Sequence, residues 1–159
     1  MRTLRASVLF LFAVFCTGSL LSQELPRVRS LFEKAAEEET ASTELLELLE
    51  PIKLRQPLLY GYKGAALMVS ARYPVNPFKK LSRFNKGRKL LDAAISADSQ
   101  AVELRFLRLA IQKNTPGFLG YSEDIRGDTR FLEKALPEVK DRFLAEQITI
   151  QLKENENAV

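Results

Sequence analysis

From Leu25 onward, apolar side chains recur at intervals of three and four, the spacing that lines one face of an α-helix. No stretch alternates as a half-buried strand would. Leu25, Val28, Leu31, Phe32 and Ala35 predict a first helix that opens near Pro26, where a missing N–H is harmless, and ends near Glu39. Thr40 or Ser42 can cap a second through Leu45, Leu46, Leu48 and Leu49, stopped by Pro51. A third starts near Pro57 and runs through Leu58, Leu59, Tyr62, Ala65, Ala66 and Val69 to about Tyr73. Gly61 and Gly64 lie inside it. Each costs about 0.5–1 kcal/mol against alanine, which predicts a compensating close approach of a neighbouring backbone.

The prolines of Tyr73 to Pro77 mark a turn, after which Asn76 can cap a fourth helix with Pro77 at its first position. Its apolar set is Phe78, Leu81, Phe84, Leu90, Leu91, Ala94 and Ile95. Beyond Asp98 to Gln100, a fifth helix from about Ala101 to Lys113 is apolar around much of its circumference and reads as the central core helix. A sixth carries Phe131, Leu132 and Ala135, and Pro137 opens a last one through Val139, Phe143, Leu144, Ile148 and Leu152. The segment Asn114 to Tyr121 holds two glycines, a proline and two aromatics, the composition of a shaped loop packed by its own side chains. The expected fold is all-α: six or seven helices in hairpins, stacked as a small bundle or short array.

The first residues follow a different pattern. Arg2 and Arg5 precede an uncharged run from Ala6 to Leu21, and Ser22 and Gln23 follow it. A positive start, a short apolar middle and a polar exit form a secretory signal peptide, too short for an ordinary membrane span. The expected organisation is a leader over residues 1–22, one helical domain over 23–153 and a frayed tail over 154–159, with no transmembrane helix after cleavage. The implied location is outside the cytoplasm, periplasmic or secreted, in a bacterial envelope.

Composition narrows the chemistry. The chain has one cysteine, Cys16, inside the leader, and neither histidine nor tryptophan. No serine or cysteine nucleophile paired with histidine is possible, and no thiolate or imidazole metal site. Nothing indicates a metal or a cofactor, and no catalytic residue is assigned. Carboxylate chemistry survives, and Glu123, Asp124 and Asp128 with Tyr121 are its one candidate cluster, as an envelope glycan hydrolase or lyase. The ordinary preference for acids at a helix start accounts for the same three residues.

Charge is distributed unevenly. Residues 23–50 carry net −5, residues 51–113 net +10 and residues 114–159 net −3. The basic middle is concentrated in the fourth helix, where Lys79, Arg83 and Lys86 share one side with Lys80 close by. Such a strip is either a solvated face or a surface for an anionic partner. With Phe118 and Tyr121 of the loop, these four cations are the partner-binding candidates. The favoured function is a non-catalytic interaction module for a protein or an anionic envelope component, with a structural subunit as the further alternative. No nucleic-acid-binding motif accompanies the basic residues.

The junction from Ala94 to Leu107 resembles that between successive tetratricopeptide repeats. Ala94 and Asp98 match the stretch that closes one repeat, Ser99 stands where proline is usual, and Leu104 and Leu107 lie in the helix that would open the next. The resemblance covers about Pro57 to Lys113. It implies a stack of helix pairs with a groove for a peptide or partner protein, and no catalysis.

Overall fold

A computed structural model describes the backbone over residues 17–156 and the side chains over 24–153. The described residues form seven α-helices and two single 3₁₀ turns joined by short connections, with no strand among them. The helices are α1 (Thr17–Lys34), α2 (Glu39–Leu49), α3 (Pro57–Ser70), α4 (Pro77–Ala97), α5 (Val102–Lys113), α6 (Ile125–Ala135) and α7 (Arg142–Glu156). The fold is therefore all-α, as the periodicity implies. Most of the predicted leader lies outside the described residues. None of the described helices is long and apolar enough to cross a membrane.

Local chemistry sets most boundaries. Pro57 and Pro77 occupy first-turn positions of α3 and α4, and Asn76 Oδ1 accepts from the N–H of Phe78 at 2.8 Å. Several boundaries differ from the sequence expectation: the first helix ends at Lys34 and not near Glu39, which opens the next, and the third ends at Ser70, short of Tyr73. Helix α1 is already helical at Thr17, so Pro26 lies within it. Helix α2 begins at Glu39, and Ser42, an expected cap, is buried. Pro137 belongs to a separate 3₁₀ turn, Leu136–Glu138, and α7 starts only at Arg142, where Asp141 Oδ1 accepts from the N–H of Leu144 at 3.1 Å. The expected tail is helical through Glu156.

The most intimate contact joins α3 to α4. A Cβ on Gly64 would lie 2.6 Å from the Leu91 nitrogen and 2.7 Å from the Gly87 oxygen, distances real Cβ atoms do not adopt. The predicted close approach at Gly64 is thus present, with Gly87 as its counterpart on α4. Helix α5 is central. Its Leu104, Leu107 and Ile111 join the main core with Val28, Leu45, Tyr62, Ala65 and Leu91, while its Leu109 faces a second cluster with Leu132, Leu144 and Ile148.

Candidate functional site

Where α1, α3 and α4 face α5 and α7, packing leaves a trough of about 980 Å³ open to solvent. This is the upper end of the range for ligand sites. Its walls are Phe32 of α1, Ala36 of the turn that follows it, Met68 and Val69 of α3, Leu81 and Phe84 of α4, Phe106, Ala110 and Ile111 of α5, and Phe143 of α7. The 3₁₀ turn Gly117–Leu119 supplies Phe118 and Leu119. Gly120, at φ 59°, ends that turn in the left-handed region that favours glycine.

A network of charge adjoins the trough, which Arg29, Tyr62 and Phe143 help to line. Arg29 donates to both oxygens of Glu103 at 2.7 Å, pairs with Asp141 at 2.8 Å, and lies 5.0 Å above the Phe143 ring. Tyr62 donates to Glu103 at 2.5 Å. The hydrogen bond from Arg29 to Glu103, outweighing burial, raises the guanidinium above its ordinary value, and the backbone N–H of Leu144 lowers Asp141. These contacts tie α1, α3, α5 and α7 together behind the apolar walls.

Residues of α4 and of the 3₁₀ turn line the trough together. Arg88 fixes the turn: its guanidinium donates to the Gly120 carbonyl at 3.2 Å and covers the Tyr121 ring at 4.8 Å. Tyr121 packs edge-on to Phe84 at 6.0 Å and donates to Asp92 at 3.0 Å. The turn held this way carries Phe118, 87% exposed, which lines the trough together with Leu81, 46% exposed. Lys80 and Arg72 line the trough as well, and the Arg72 guanidinium donates to the Ala36 carbonyl.

Four of the six sequence-derived partner residues, Lys79, Lys80, Arg83 and Lys86, are exposed along α4, and Phe118 joins Lys80 at the trough. Tyr121 is 3% exposed and serves the core, because its ring is the anchor that seats the turn. The three acids of the alternative cluster are dispersed among arginines. Asp128 is fully buried and accepts from Arg105 and Arg108, Asp124 pairs with Arg108 at 3.1 Å, and Glu123 lies 3.6 Å from Arg88. Asp124 makes no capping bond at the start of α6, and Asp128, in the first turn, is buried between two arginines, while Glu123 stays exposed and Asp124 partly exposed. No cluster of potential metal ligands occurs among the described residues.

Sequence reasoning missed the trough and the arginine networks. A signal existed for the networks: Asp128 stands at i, i+3, i+4 and i+7 with Phe131, Leu132 and Ala135, on the apolar stripe of its own helix.

The two buried tyrosines make stability sensitive to alkali. Burial pushes the hydroxyls of Tyr62 and Tyr121 well above the ordinary tyrosine value, and the neighbouring Glu103 and Asp92 push in the same direction. Above about pH 10 the unfolded chain sheds these protons and the folded chain keeps them, so stability falls as pH rises. The expected slope is up to about 1.4 kcal/mol per pH unit for each tyrosine. Denaturant midpoints across this range should fall less steeply for Tyr121→Phe than for the wild type. Parallel profiles would contradict the assignment.

No protein-family model, no curated protein and no solved structure matches the chain.

Proposed function

We propose that this protein is an exported, non-catalytic binding module for an anionic amphiphile of the envelope, with the hydrocarbon part in the trough and the anionic group beside Lys80 and Arg72. The observation that supports this reading is that Lys80 and Arg72 line the same trough of about 980 Å³ as its apolar walls. Phe32, Phe84, Phe106 and Phe143 offer it no strong hydrogen-bond partner. The paired carboxylates Asp124 and Asp128 offer no free acid and base, so the glycan-hydrolase alternative draws no support from their geometry.

A dansyl-labelled long-chain fatty acid tests the proposal directly. Its fluorescence should rise to saturation on titration with protein, with a Kd in the micromolar range, about −8 kcal/mol. Ala110 lines the middle of the trough and is only partly buried, so Ala110→Trp should fill the space and raise Kd at least tenfold. Lys80→Glu should weaken binding several-fold. Uptake without saturation, or an Ala110→Trp variant that binds as well as wild type, would defeat the reading.

A further inference from the structure

We infer that the surface around the start of α4 and the 3₁₀ turn Gly117–Leu119 is a docking surface for an anionic lipid bilayer. Val75, Phe78 and Leu81 follow one another at three-residue intervals across the turn into α4, and they are 98%, 81% and 46% exposed. Phe118, 87% exposed, lines the same trough as Leu81. Single exposed apolar residues need no explanation, but four grouped in this way form a patch of the kind that marks an interaction surface.

The charges around this patch select the partner. Lys79, Lys80 and Lys86 are exposed, and their ammonium groups enter none of the ion pairs or hydrogen bonds of the described residues. Lys79 and Lys80 stand in the first turn of α4, where the helix dipole disfavours cations, so helix stability does not account for them. Lysine is depleted at protein–protein interfaces, whereas lysines beside protruding aromatics suit an anionic headgroup layer, with the rings entering the acyl boundary. Lysines of this kind reach the phosphates while their stems lie along the apolar surface.

The inference rests on the proposed amphiphile site only in one respect: Leu81 and Phe118 of the docked face also line the trough, giving a lipid a route into it. The patch itself includes Val75 and Phe78, which do not line the trough.

Flotation of the mature chain with vesicles of phosphatidylcholine alone, or mixed equally with phosphatidylglycerol, tests it. The protein should float with the mixed vesicles, less at high salt, and stay behind with the neutral ones. The triple variant Lys79→Glu, Lys80→Glu and Arg83→Glu should lose affinity on the order of a hundredfold. Phe78→Ser with Phe118→Ser should lose about tenfold or more, with the circular dichroism spectrum unchanged because all five side chains are exposed. Ala110→Trp fills the trough yet leaves the surface intact, so it should float as wild type. Failure of fatty-acid binding with flotation retained would remove the trough reading and leave the docking surface standing. Equal flotation with neutral vesicles, none with either composition, or wild-type flotation of either surface variant overturns the inference. Dimerisation through Phe78 and Phe118 without flotation would assign the face to a second copy instead, and overturns it equally.

Discussion

Gly64→Ala should lower stability by about 2–4 kcal/mol, although alanine is the better helix former by about 0.5–1 kcal/mol. The reason lies in the neighbour, because the added carbon would meet the backbone of Leu91 and Gly87, which cannot swing aside as a side-chain tip can. Helices α3 and α4 must separate, and the leucines beside them lose contact along the whole hairpin. For a domain of this size the melting temperature should fall by about 10 °C. Gly127 in α6 supplies the opposite case. No atom lies within 4 Å of a Cβ built there, so Gly127→Ala should be neutral or raise stability by up to about 1 kcal/mol. Thermal unfolding of the two variants checks both signs at once, and a Gly64→Ala protein as stable as wild type would show that the hairpin is not packed backbone to backbone.

The Gly64 contact marks how far the sequence could be read. Two glycines in a helix carry a propensity cost that demands compensation, which made a close approach legible at Gly64 but could not say that Gly87 faces it. Helix positions were legible for the same reason: periodicity, Asn76 and the prolines act locally, within a turn or two of chain. Where a choice depended on a distant partner, local rules chose wrongly. Tyr121 looked like a loop aromatic available to a ligand, and it is buried because Phe84, Asp92 and Arg88 of α4 converge on it. Phe118, three residues earlier, is left outside. The trough was beyond sequence reasoning altogether, since its walls come from five helices and a turn, and a cavity is a property of their fit.

The Asp128 cluster should show the second large effect. Asp128 Oδ1 accepts from Arg105 at 2.9 Å and from Arg108 at 2.8 Å, and Oδ2 accepts from Arg108 at 2.6 Å, with the carboxylate fully buried. Arg108 is itself buried, yet Asp128 holds it firmly protonated against that desolvation. Asp128→Asn keeps the shape and removes the charge, leaving the cations of Arg105 and Arg108 without their shared counterion, at a cost of about 3–5 kcal/mol. Removing both sides is a different matter. An Asp128→Leu, Arg108→Met double variant abolishes the buried cation along with its partner, so its loss should be well below the sum of the single changes. Arg27 and Glu44, more than half exposed, provide the calibration: breaking that pair should leave the unfolding midpoint almost unchanged, and any effect should vanish in high salt. Denaturant unfolding of these variants separates the structural role from a chemical one. An Asp128→Asn protein with wild-type stability would mean that the aspartate does not hold α6 to α5, and would reopen the carboxylates of α6 as candidates for chemistry.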